Sequence, residues 1–126
     1  MSVVLDSSAL LALLLDEPGK DIVMEHAQGA RLLSVNLTEI LTRVFDRGGD
    51  PLAARLQISR LEVKTVAFDE QLAVSAAILR EPTKSIGASL GDRACLSLAL
   101  ATGLPVLSAD RKWAKLDVGV DIRMIR

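Results

Sequence analysis

Strand-like runs alternate with helical segments along the whole chain, and no other feature constrains the fold as strongly. Ser2–Leu5, Arg31–Val35, Val63–Phe68, Pro105–Ser108 and Val120–Ile125 are short runs of β-formers. Between Ser7 and Asp16, Leu10, Leu11, Leu14 and Leu15 recur at helical spacing, and Glu17-Pro18-Gly19 ends the segment. A second helix is expected to start after Pro18 and run to Gly29, and a third over Asn36–Arg47, stopped by Gly48-Gly49. Asp50-Pro51 opens a fourth, with Asp50 as N-cap and Pro51 at the first helical position. Asp69 caps a helix reaching about Arg80, where Glu81-Pro82 breaks it. Thr83–Leu90 reads as a polar loop before a helix over Asp92–Thr102, and Arg111–Lys115 as a short helix. Strands alternating with helices predict an open, mainly parallel α/β sheet with helices on both faces. At 126 residues the chain is most simply one domain, 1–126, with enough surface to bury a real core.

Composition narrows the classes. The core must be aliphatic, because Phe45, Phe68 and Trp113 are the only aromatic residues. A formal net charge of −1 gives no overall pull toward polyanions, so any nucleic-acid substrate would be held by local cations and metal. Few aromatics leave few platforms for stacking unpaired bases. Cys95 is the only cysteine, which excludes an intrachain disulfide and suits a reducing cytosol. The apolar run Ala9–Leu15 follows an acid and is far shorter than the ~20 residues needed to span a bilayer. A soluble cytoplasmic protein without membrane attachment is expected.

Asp6, Glu39, Asp92 and Asp110 each stand where an apolar, strand-like run gives way to a helix start. In an open parallel sheet the carboxyl ends of the strands face one crevice, where ligands bind. Carboxylates gathered there repel one another unless a cation lies between them, and hard divalent cations favour oxygen ligands. The chain therefore reads first as a metal-dependent enzyme. Each acid also has a plain structural role open to it. Asp6 and Asp110 are placed to cap helices, Asn36 with Glu39 forms an N-x-x-E pattern resembling a capping box, and Asp92 sits in a first helical turn. Asp50 and Asp69 are probable caps too, and Asp69 also follows a strand, so a strand followed by an acid does not alone define the site.

The local context of the four acids separates them from the rest. VVLDSSALLALLLDEPG, SVNLTEILTRV, SLGDRACLSLALATGLPVLSADRKWAKL and the closing VDIRMIR resemble the PIN domain, and within it the VapC ribonuclease toxins of bacterial toxin–antitoxin pairs. The resemblance covers essentially the whole chain in order, and LGDRACLSLA followed by LPVLSADRKW is its most specific part. It implies a five-stranded parallel sheet between helices and an acidic pocket that binds Mg²⁺ or Mn²⁺. By position, Asp6, Glu39, Asp92 and Asp110 match the family's acidic quartet, and Ser8 and Ser108 match its small hydroxyl residues. Some relatives carry a further acid shortly after the fourth. Here Arg111 and Lys112 follow instead, which leaves open whether one or two ions bind.

The implied chemistry is metal-assisted hydrolysis of RNA phosphodiester bonds by water, without a side-chain nucleophile. His26 is the only histidine, so a two-histidine ribonuclease mechanism is excluded, and no G-x-S-x-G elbow exists. Asp6 and Asp110 are the expected direct ligands. Asp92 would bind metal or position the attacking water, and Glu39 would reach the ion through water. Arg43 and Arg47 beyond Glu39, with Arg93, Arg111, Lys112 and Lys115 beside the last two acids, are candidate substrate contacts, although solvated surface is the plainer reading of each. The resemblance also implies a cognate antitoxin and a homodimer, with the first helix and the third–fourth helical hairpin as contact surfaces. The competing readings are a PIN nuclease of RNA processing that is no toxin, a catalytically silent binding domain, and a phosphoreceiver-like Mg²⁺-binding signalling domain. The last lacks the Lys it needs at the end of a later strand.

Overall fold

A computed structural model describes residues 2–126. Five strands, β1 (Val4–Leu5), β2 (Arg31–Leu33), β3 (Lys64–Val66), β4 (Val106–Ser108) and β5 (Ile122–Met124), form one sheet in the order β3-β2-β1-β4-β5. Every pairing is parallel, with Val4 opposite Arg31 on one side and Val106 on the other. The helices are α1 (Ser7–Leu14), α2 (Lys20–His26), α3 (Ser34–Asp46), α4 (Pro51–Arg60), α5 (Glu70–Ile78) and α6 (Leu90–Thr102). Short 3₁₀ turns occupy Lys84–Ile86 and Arg111–Lys115.

Side chains alternate across a strand, so each strand feeds two cores. Val3, Leu5, Leu32 and Leu107 point to one face, where they pack with Leu10 of α1, Val23 of α2, Ile40 of α3 and Ile58 of α4. Val4, Leu33 and Val106 point to the other, onto Leu72 of α5, the buried face of α6 and the fully buried Trp113. The expected open parallel sheet with helices on both faces is thus present. Among the described residues no helix is long and apolar enough to cross a membrane.

Chain order decides where a ligand can sit. From β1 the chain steps outward to β2 and β3, then returns across the sheet to β4 on the far side of β1. The two directions part between β1 and β4, and the crevice outside their carboxyl ends is the switch point at which such sheets bind ligands. Asp6 follows β1 and Asp110 follows β4, so both stand at the crevice. Asp69 follows the edge strand β3, away from it, and caps α5 through a bond from the Leu72 amide (2.9 Å). The order also differs from the 2-1-3-4-5 arrangement of phosphoreceiver domains, which removes that reading.

Several element boundaries differ from expectation. Helix α3 starts at Ser34 rather than Asn36, because β2 runs into it with no loop and Leu33 is the N-cap residue without a side-chain bond. Asn36 therefore lies inside the first turn and forms no capping box. Helix α6 starts at Leu90 rather than Asp92, because Ser89 supplies the cap and Asp92 completes a capping box with it. Helix α2 ends at His26, short of Gly29.

The packing predicts a sharp contrast between two apolar truncations. Leu5→Ala, in the fully buried centre of the sheet, should cost about 2–5 kcal/mol, whereas Phe45→Ala on the exposed side of α3 should change stability by about 0.5 kcal/mol or less; urea unfolding measures both.

Candidate active site

Asp6 stands where β1 ends and α1 begins, 5% exposed. Three donors hold its carboxylate. The Ala9 amide donates to Oδ1 (2.8 Å), which caps α1, while the Ser8 and Ser108 hydroxyls donate at 2.7 Å each. Each hydroxyl in turn accepts a backbone amide from the segment after β4, Ala109 N on Ser8 (2.9 Å) and Asp110 N on Ser108 (3.0 Å). A carboxylate offers about four lone-pair sites, so three bonds leave one for a ligand.

The other acids converge on the same cleft from different elements. Glu39 is exposed on the second turn of α3, Asp92 lies in the first turn of α6, and Asp110 caps the Arg111–Lys115 turn. All four line one cleft of about 330 Å³ together with Ser7, Ser8, Asn36 and Arg43. Each of the last three acids has a protein-bound oxygen and a second one with fewer claims on it. Asp92 Oδ2 accepts the Ser89 amide (3.0 Å), Asp110 Oδ1 accepts the Lys112 amide (3.1 Å), and Glu39 Oε1 accepts from Ser7 Oγ (2.5 Å) and Asn36 Nδ2 (2.9 Å). Capping and ligand binding are therefore compatible in one side chain.

The electrostatics are those of a site short of positive charge. Burial pushes the Asp6 carboxyl up to about 6, against the pull of its hydrogen bonds and with a further push from Asp92. Burial also raises Asp92. The Ser89 backbone bond and the Lys112 ammonium pull it down, and Asp110 pushes it up. The Cys95 thiol, buried beneath these acids, is held far above its ordinary range and is unreactive at neutral pH.

These residues fit a hard divalent cation. The donors are all oxygens, His26 is away on α2 with its ring bonded to Ile22 O (2.9 Å), and the carboxyls of Asp6 and Asp92 are raised by burial and by a neighbouring acid. Among the described residues no three His, Cys, Asp or Glu side chains are disposed to grip one ion directly.

The candidate cations divide. Arg43 lines the cleft and Lys112 Nζ lies 3.8 Å from Asp110 Oδ2. Arg93 is turned to α5, donating to Ala76 O (3.0 Å), and Arg111 donates to Arg126 O (2.9 Å); neither lines the cleft. Arg47 and Lys115 are exposed and do not line the cleft. Ser7, Asn36, Thr42 and Asp46 line it without having been picked out from the sequence. The signal for the last two was present, since Glu39, Thr42, Arg43 and Asp46 follow one helical stripe.

The PIN domain family model matches residues 3–119. No curated protein sequence matches the chain. Among solved structures, a toxin–antitoxin complex from Klebsiella pneumoniae is similar with TM-score 0.80 at 15% identity, over 99% of this chain and 98% of that one. The DNA-bound VapBC of Salmonella typhimurium gives TM-score 0.71 at 16% identity, over 100% and 99%. VapC20 of Mycobacterium tuberculosis, a sarcin-ricin loop cleaving toxin, gives 0.65 at 18%, over 95% and 99%. At these identities the likeness shows a shared fold.

The raised Asp6 carboxyl sets a pH dependence. Its folded value of about 6 exceeds the ordinary 3.8, so the folded chain binds this proton more tightly than the unfolded one. The contribution is complete below the lower value and is lost as pH rises through the upper one. In EDTA, Asp6→Asn should match wild type in stability near pH 4 and exceed it increasingly toward pH 7, by up to about 3 kcal/mol in urea unfolding. A gain that shrinks with rising pH would contradict the assignment.

Proposed function

This chain belongs to the PIN domain family, and from that premise we propose that it is a divalent-metal-dependent endoribonuclease, the VapC-type toxin of a toxin–antitoxin pair. The observation that carries the reading is the single cleft lined by Asp6, Glu39, Asp92 and Asp110 at the sheet's switch point. Asp6, Asp92 and Asp110 would hold Mg²⁺ or Mn²⁺ in part through the ion's own waters, since no three of the acids are disposed to grip one ion directly among the described residues, with Glu39 acting directly or through water. When bound, such an ion supplies Lewis acidity that activates water and offsets charge on the phosphate.

The chain's own residues do the rest. Asp6 lines the cleft with its carboxylate fixed by three donors, so its role is to locate. Asp92 Oδ1 and Glu39 Oε2 accept no hydrogen bond among the described residues and are free to orient a water for attack. Arg43 and Lys112, at the cleft and its rim, draw the phosphate backbone toward a chain of net charge −1. The toxin relatives from K. pneumoniae and S. typhimurium are complexes, and the M. tuberculosis relative cleaves the sarcin-ricin loop, which supports an RNA substrate and an antitoxin partner here. A homodimer, a cytoplasmic location and a single domain over 1–126 belong to the same proposal.

Purified protein, freed of any antitoxin and incubated with total cellular RNA, should yield discrete products with Mg²⁺ or Mn²⁺ and none with EDTA. Asp6→Asn and Asp92→Asn should each lower the rate by at least about a hundredfold while remaining folded. Intact RNA in every metal would sink the nuclease reading, and metal-independent cleavage would sink the role given to the four acids.

A further inference from the structure

Glu39 is the one acid of the four whose carboxylate makes no bond to a backbone amide, so its placement depends on neighbouring side chains. Ser7 Oγ and Asn36 Nδ2 both donate to Oε1. Asn36 Nδ2 also donates to Gly91 O (3.1 Å), which ties α3 to the first turn of α6. Gly91 itself is buried against the carboxylate. A Cβ there would lie 2.2 Å from Oε2, 2.5 Å from Cδ and 2.6 Å from Oε1. The Glu39 carboxylate thus occupies the volume that any side chain at position 91 would claim.

We propose that Gly91 and Asn36 are positioning residues that fix Glu39 in the cleft, Gly91 by leaving a slot on α6 for its carboxylate and Asn36 by pinning Oε1. Two observations separate this from ordinary packing. Gly91 is not among the glycines with positive φ, so its backbone has no need of glycine, and alanine is the better helix former. Asn36 is 2% exposed and lines the cleft, yet its Oδ1 has no hydrogen-bond partner. A buried acceptor left unpaired is unfavourable for folding, so this residue serves the group that its amide hydrogens reach. The inference rests on the nuclease reading for what Glu39 does, and on geometry alone for how Glu39 is held.

Gly91→Ala is the decisive variant, because the atoms a Cβ displaces are the free end of a flexible side chain. The full chain would be compared as wild type, Gly91→Ala, Asn36→Asp, Glu39→Ala and Glu39→Ala/Gly91→Ala. The readouts are Mn²⁺ affinity by calorimetry, the ¹³C shift of the Glu39 carboxyl in EDTA, and the urea midpoint. Gly91→Ala should keep or raise the midpoint, move the Glu39 carboxyl resonance and weaken Mn²⁺ binding about ten- to a hundredfold, and it should add nothing once Glu39 is already alanine. Asn36→Asp should move the same resonance and weaken Mn²⁺ binding. An unmoved Glu39 resonance in Gly91→Ala overturns the proposal, as does a further loss of Mn²⁺ affinity in the double variant. Wild type that binds no Mn²⁺ would count against the nuclease reading, and the carboxyl shift would still decide how Glu39 is held.

Discussion

Two hydroxyls, Ser8 from α1 and Ser108 from β4, donate to one buried carboxylate, that of Asp6, and each accepts a backbone amide from the segment leading to Asp110. Buried charge is tolerated only when it is hydrogen-bonded or paired. This network supplies the bonds but no compensating cation. It joins the ends of the two central strands and fixes the distance between the first and fourth acids. Burial with so little counter-charge raises the Asp6 carboxyl at the centre of the sheet.

Structural and chemical roles coincide in these side chains. Asp6 caps α1, Asp92 completes the capping box of α6, and Asp110 caps the turn after β4, each with part of its carboxylate. The cap anchors the carboxylate by a backbone amide at a helix start, where the helix dipole also favours negative charge. Glu39 lacks that anchor, which is why its position falls to Ser7, Asn36 and Gly91.

The parallel sheet was legible because its strands are runs such as Val3–Leu5 and Val106–Leu107, buried on both faces and therefore apolar without interruption. Asp6 and Asp110 were read at strand ends, which share a crevice in such a sheet, whereas Glu39 and Asp92 do not end strands and reach the same cleft from inside α3 and from the first turn of α6. Glu39's supports were not legible, since Asn36-x-x-Glu39 reads locally as a capping box, and only the loopless entry into α3 moves it inside the helix. Arg93 looked like a rim cation by its place beside Asp92, but helical geometry turns it toward α5 and Ala76 O. Sequence position gives a residue's neighbours along the chain, and the helix face it occupies needed the true start of the helix.

The direct passage from β2 to α3 ties the site to chain length. With no loop between Leu33 and Ser34, the pairing of β2 with β1 and β3 sets the rotational phase of α3. One residue inserted or deleted at that junction would turn every later side chain of the helix by about 100° and carry Glu39 off the cleft. The Gly48-Gly49 stretch beyond α3 has no such linkage to the acids. Length variation among descendants of this chain should therefore be admitted at the α3–α4 turn and rejected at the β2–α3 seam, where a single codon separates an assembled site from a scattered one.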